Sequence, residues 1–263
     1  MKYVIVTGAN GGMGKAAVSA FKKAGYFVFA LDIAECEKQE NVLPIKVDLT
    51  DENSVLSAFN MVSSITDDLA AIVHFAGVYT LDSLVEISEE KFVKAFNINV
   101  FGVYRINKTF LPLLKGGSKI IITTSELAPL NPLPFTGLYA VTKSTLDKYA
   151  YSLRMELQLL NISVTVLRPG AVNTGMLGVS TAELDKFCST TQLYTCNAKR
   201  FKGIVDRVEA RNVPPEKVAN KALKILNKKR PKHIYKINRN PLLLLLNVLP
   251  ARMQTWIIKK ILK

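Results

Sequence analysis

Short apolar runs alternate with helix-like segments along the first two thirds of the chain. The runs are YVIVTG (3–8), YFVFALD (26–32), LPIKVD (43–48), AAIVHFAG (70–77), SKIIITTS (118–125) and ISVTVLRPG (162–170). Each is nearly continuous in apolar residues rather than alternating with polar ones, the pattern of strands buried on both faces of a parallel sheet. Between them lie amphipathic segments such as GKAAVSAFKKAG (14–25) and EEKFVKAFNINVFGVYRINKTFLPLL (89–114). Repeated β-then-α predicts one α/β domain, a doubly wound parallel sheet, over residues 1–240. The alternation stops near residue 175. Residues 176–212 read as irregular and polar, and PPEKVANKALKILNKK (214–229) restores a helix.

The last segment, residues 241–263, departs from this pattern. Its apolar run Leu242–Leu246 continues only to Leu249 before Pro250, far short of the roughly 20 residues that span a bilayer. Beyond Pro250, the residues Met253, Trp256, Ile257, Ile261 and Leu262 can share one helical face, with Arg252, Lys259, Lys260 and Lys263 around them. A short basic amphipathic helix with a tryptophan suits a membrane–water interface. It equally suits a contact between subunits of a homodimer or homotetramer.

Charge sharpens this contrast. The chain carries a net charge of +14, yet residues 1–195 hold 17 Lys and Arg against 18 Asp and Glu. Residues 196–263 hold 18 against 3. An anionic surface is the partner this asymmetry predicts. Nucleic acid is excluded, because the basic stretches have no interleaved aromatics and match no recognition module. The three cysteines, Cys36, Cys188 and Cys196, have neither disulfide nor zinc spacing, which predicts a reducing, cytoplasmic setting and no metal. The N-terminus turns glycine-rich after four apolar residues, too early for a signal-peptide core, and reads as the first strand.

That first strand runs into 7-TGANGGMG-14. Gly8, Gly11, Gly12 and Gly14, with Asn10 and Met13 between them, allow a tight turn and close approach of backbone to a pyrophosphate at a helix N-terminus. Asp32, ending the second strand, is placed to accept hydrogen bonds from both adenosine ribose hydroxyls and to repel a 2′-phosphate. The following residue is Ile33 rather than Arg or Lys, so NAD(H) is predicted over NADP(H). Asp48 and Leu49, ending the third strand, are placed beside the adenine. The architecture is thus of the Rossmann type.

In the same order along the chain come 76-AG-77, Asn99 in 99-NVFG-102, Ser125, 139-YAVTK-143 and 169-PGAVNT-174. Together with the glycine loop and Asp32, these residues resemble the short-chain dehydrogenase/reductase family over about residues 1–175. Tyr139 and Lys143 lie one helical turn apart and share a face. A free phenol has a pKa of about 10, and a nearby cation lowers such a value by roughly 1–3 units. The resemblance implies Tyr139 as the acid/base, with Lys143 lowering its pKa and holding the nicotinamide ribose. It also implies Ser125 at the substrate oxygen and Asn99 anchoring a water. Ala76, Gly77, Pro169, Gly170 and Val172 would lie against the cofactor, and Thr174 would hold the carboxamide.

Two features depart from the family pattern. The usual Asn-Asn-Ala-Gly is replaced by 74-HFAG-77, where His74 reads as a buried structural residue. Ser125 also lies fourteen positions before Tyr139, one more than usual, within a stretch whose loop 126-ELAPLNPLPFTG-137 has three prolines. Glu126 stands at the usual spacing but has the wrong chemistry.

In the family, the segment after 169-PGAVNT-174 covers the substrate. Here it holds Met176, Leu177, Val179, Leu184, Phe187, Leu193 and Tyr194, with few charges before Lys199. An apolar pocket follows, for a steroid-, bile acid-, retinoid- or lipid-like secondary alcohol or ketone. Two other readings keep the cofactor site: epimerisation or dehydration of a nucleotide sugar, and a non-catalytic NAD(H)-binding redox sensor or scaffold. The first lacks a larger C-terminal substrate domain, and the second would not need Tyr139 and Lys143.

Overall fold

The computed structural model describes residues 1–263, with side chains described for all but residues 176–180 and 209. Seven strands form one parallel sheet: β1 (Lys2–Thr7), β2 (Tyr26–Asp32), β3 (Val42–Lys46), β4 (Leu69–His74), β5 (Leu114–Thr123), β6 (Ser163–Pro169) and β7 (Ile234–Ile237). Their order is β3-β2-β1-β4-β5-β6-β7, so the winding direction reverses between β1 and β4. Ligands of open parallel sheets bind at such a reversal, beyond the carboxyl ends of the strands.

Helices cover both faces, as strands apolar on both sides require. On one face α2 (Glu52–Ser63), α4 (Gly102–Phe110) and α5 (Gly137–Leu157) pack Val55, Val62, Ile106, Phe110 and Leu146 against Ile5, Phe29, Ile72 and Ile120. On the other, α1 (Gly12–Lys23) and α8 (Pro215–Leu226) pack Val18, Phe21, Val218 and Ile225 against Val4, Val28, Val73 and Ile121.

Three elements differ from the sequence reading. The strand β7 closes the sheet edge, although its four residues IYKI lie in a basic stretch too short to show a period. The segment 176–212 is largely helical rather than irregular, forming α6 (Gly175–Thr190) and α7 (Thr195–Glu209). Among the described side chains, Leu184 and Phe187 of α6 and Ala198 and Phe201 of α7 are buried in a third cluster with Leu81, Phe135 and Leu262. Polar residues between these positions mask the pattern in the sequence. Of the lid residues expected from sequence, the side chains of Met176, Leu177 and Val179 lie outside the described residues. The long segment 89–114 breaks into α3 (Glu89–Phe96), a π-helical turn (Asn97–Phe101), α4 and a 3-10 turn. Beyond β7 the chain ends in two helices, α9 (Pro241–Val248) and α10 (Ala251–Leu262).

Candidate active site

The glycine loop leaves β1 at the winding reversal. Gly8 adopts φ +67°, and a Cβ there would fall 2.5 Å from the backbone N of Ala76. A Cβ at Gly12 would meet Thr174 Cγ2 at 2.7 Å, and one at Gly14 would collide with the Gly8 carbonyl. The loop therefore threads between the ends of β4 and β6 only as bare backbone. Gly11 precedes α1 with no side-chain cap, and the first turn holds no acidic residue, which leaves its N–H groups to an anion. Asn10 N donates to Asp32 Oδ2 at 2.9 Å, and Ala34 N donates to Asp32 Oδ1 at 3.0 Å. Asp32 thus fixes the loop while its oxygens keep further lone pairs. Ile33 beside it is exposed.

Other residues expected near a cofactor fall into distinct settings. Asp48 Oδ1 accepts from Thr50 N at 2.8 Å and Thr50 Oγ1 at 2.7 Å, so part of its carboxylate builds the turn into α2. Leu49 is buried against Gly102, where a Cβ would come within 2.9 Å of it. Gly77 sits against Asn99 and Lys143, since a Cβ there would lie 3.1 Å from Asn99 Oδ1 and 3.3 Å from Lys143 Nζ. Pro169, Gly170, Val172, Thr174 and Met13 line the same cleft as Ser125, Tyr139 and Lys143. Bare backbone from Gly8 past Ala76 and Gly77 to Thr174 fits a dinucleotide lying along the strand ends.

On α5, Tyr139 and Lys143 do share a face toward this cleft. The Ser125 hydroxyl lies close enough to the Tyr139 phenol to act on its pKa and accepts from Leu127 N at 3.1 Å. The longer loop therefore does not part the two hydroxyls. It folds through successive turns and a left-handed Phe135 (φ +65°), whose ring is buried beneath α6 and α7. Asn99 is buried within the π-helical turn. Its Oδ1 accepts from Val78 N at 2.8 Å, and its Nδ2 donates to Val78 O at 3.0 Å and Thr142 Oγ1 at 3.1 Å. The side chain thereby pins the loop after β4 to α5.

The electrostatics differ from the sequence expectation. Burial pushes the Tyr139 phenol up to about 12, with the Ser125 hydroxyl opposing it and the Glu126 carboxylate adding to it. Burial also pushes Lys143 down to about 8. The expected lowering of Tyr139 by Lys143 is absent because the ammonium is aimed elsewhere. Its Nζ donates to Thr123 O at 3.2 Å and stands 5.7 Å from the centroid of the Tyr139 ring.

Several neighbours carry no motif. Tyr79 meets Tyr139 edge-on with centroids 4.5 Å apart. Glu126 lines the cleft beside Ser125; burial raises its pKa against the Asn240 N–H and Arg239. Behind the site Asp147 on α5 pairs with Arg168 on β6, and its Oδ1 accepts from Thr124 Oγ1 at 3.1 Å. Partners so far apart in sequence leave no local signal. His74 is buried with Nε2 2.9 Å from Asn107 Oδ1, and it lines no part of the cleft.

A Rossmann sheet with a glycine loop at its reversal and a Ser–Tyr–Lys group in the adjoining cleft defines a nicotinamide-dependent oxidoreductase class. The family model described as short chain dehydrogenase matches residues 2–185, and the chain belongs to that family, whose members act on CH–OH groups with nicotinamide cofactors. It is 25% identical over 255 residues to 3-ketodihydrosphingosine reductase of Bacteroides thetaiotaomicron, covering 97% of this chain and 92% of that protein. It is 31% identical over 191 residues to estradiol 17-beta-dehydrogenase 2 of Mus musculus, covering 67% of this chain and half of the mouse protein. A solved structure of 3-ketoacyl-(acyl-carrier-protein) reductase from Brucella melitensis, complexed with NADH, shares the fold. The TM-score is 0.73 at 20% identity, over 90% of this chain and 96% of that one.

Proposed function

We propose that the protein is an NAD(H)-dependent oxidoreductase interconverting a secondary alcohol and a ketone on a hydrophobic substrate, with Tyr139 as acid/base. The observation that carries this reading is the make-up of the cleft. The neighbouring Ser125 and Tyr139 hydroxyls share it with Phe75, Leu127, Leu133, Phe201, Ile204, Val205, Val208 and Leu243. A ketone oxygen accepts from both hydroxyls while the apolar walls hold the rest of the molecule and exclude water. The bound cofactor supplies or takes the hydride. Tyr139 at about 12 is fully protonated near neutrality, the form that donates to a developing alkoxide. Lys143 at about 8 is mostly cationic there, and with its ammonium held at Thr123 O beside the cleft it would hold the nicotinamide ribose. In the other direction the Tyr139 phenolate accepts the alcohol proton. The steroid and lipid-like substrates named for the two relatives support this substrate class.

Asp32 followed by exposed Ile33, rather than by Arg or Lys, supports NAD(H) over NADP(H), as the carboxylate would repel a 2′-phosphate. The test is a panel of steroid, bile-acid, retinoid and long-chain aliphatic ketones with NADH or NADPH, followed at the nicotinamide absorbance. Turnover of at least one apolar ketone with higher kcat/KM for NADH is expected, and Asp32→Ala should narrow the cofactor preference at least tenfold. Turnover confined to polar sugars, or a preference for NADPH, would contradict it.

A further inference from the structure

We propose that the outer faces of α9 and α10 form a docking surface for an anionic lipid bilayer, seating the catalytic cleft beside the membrane. The helix α9, PLLLLLNV, has no fully buried residue. Leu243 lines the cleft, whereas Leu242, Leu245 and Val248, three apart along one face, are 65%, 64% and 83% exposed. One wall of the substrate site is therefore a helix whose opposite side is bare hydrocarbon. On α10, Gln254 and Leu262 are buried and Ile258 joins the cluster under α6 and α7. Met253 and Trp256 face outward, Trp256 63% exposed, with Lys260 Nζ 6.0 Å from the indole centroid. An exposed groove beside them, lined by Leu84, Val85, Ile258 and Leu262 with Lys259 and Lys263, extends the apolar surface.

The arrangement is held in place. Asn131 N donates to Asn247 Oδ1 at 2.7 Å, and Asn131 Nδ2 donates to Gln254 Oε1 at 3.1 Å. Asn240 N, at the start of α9, donates to Glu126 Oε2 at 2.7 Å. Both anchors lie on the loop between Ser125 and Tyr139, so the surface and the catalytic hydroxyls share one support.

Charge decides the occupant. Residues 239–263 hold Arg239, Arg252, Lys259, Lys260 and Lys263, and no Asp or Glu follows Glu216. A two-fold contact with a second copy would set this patch against itself, like charge on like. Anionic headgroups meet the cations while Trp256 and the leucines enter the interface. No described helix is long and apolar enough to cross a membrane, so the contact lies on the surface. If the substrate is the apolar ketone proposed above, it passes from the bilayer to the cleft around α9.

The test is flotation of the full-length protein with phosphatidylcholine vesicles with and without 30% phosphatidylserine. Recovery only with the anionic vesicles is expected, falling at least tenfold for Leu245→Gln/Trp256→Gln and for Lys259→Glu/Lys260→Glu. Turnover of a short soluble ketone by these variants should stay within twofold of the parent. Equal recovery of parent and variants, or none of the parent, would overturn the proposal. So would a dimer in sedimentation that Leu245→Gln/Trp256→Gln dissociates, since the face would then be a subunit contact. Flotation reads docking alone; failure of every apolar ketone in the panel would instead fall on the substrate reading.

Discussion

His74 shows how one buried side chain makes stability depend on pH. Burial holds its pKa at about 4 against an ordinary 6.5, outweighing the Asn107 bond and joined by the charge of Lys143. Above pH 6.5 neither folded nor unfolded chain protonates it. As pH falls from there toward 4, the unfolded chain takes up the proton and the folded one refuses it. Stability is therefore lost on acidification, by about 3 kcal/mol at 1.36 kcal/mol per pKa unit. Urea titrations at pH 4.5 and 7 should show a smaller loss for His74→Asn than for the parent; equal losses would contradict this. Lys143 acts at the other end of the scale. Ketone reduction should hold from pH 6 to 7 and decline as pH rises through about 8, where the ammonium loses its proton. A kcat/KM profile flat to pH 10 would remove the cation from the reaction. The Tyr–Lys pair and Ser125 were legible because they fall in spaced motifs. The direction of the Tyr139 shift was not, because it depends on where Lys143 Nζ points and how deeply the phenol is buried.

At the scale of elements, the placing of Tyr139 and Lys143 depends on how α5 is fixed to the ends of β5 and β6. Asp147, Arg168 and Thr124 make that junction, and both charged side chains are mostly buried. Removing one partner strands the other charge. Asp147→Ala should cost about 3 kcal/mol in chemical denaturation, and Asp147→Leu/Arg168→Met should recover much of it. A double variant less stable than the single one would contradict this origin. The strands β1 to β6 were legible as continuous apolar runs, and α1 and α8 as amphipathic stretches. The helices α6 and α7 were hidden because polar residues stand between their buried positions, and β7 because four residues hold no pattern. The π-helical turn at Asn99 left no sign in a segment with unbroken helical character.

The whole molecule divides its work along the chain. The first six strands, α1 and one whole helical layer take up the nearly neutral first three quarters, and the basic last quarter supplies α7 to α10, α8 completing the second layer, with the closing strand β7. Leu184, Phe187, Phe201 and Leu262 tie α6, α7 and the tail into one cluster. The tail's apolar and basic composition was readable from sequence, whereas its place beside the cleft, with Leu243 as a wall, arises only in three dimensions. The proposed reaction turns on the Tyr139 phenol exchanging one proton with a bound oxygen. The most direct measurement is turnover and NADH binding by Tyr139→Phe, with binding followed by nicotinamide fluorescence. Loss of at least a thousandfold in kcat with an NADH Kd within threefold of the parent is expected, since only the hydroxyl is removed. A variant that kept most of its turnover would contradict the assignment of Tyr139 as the acid/base.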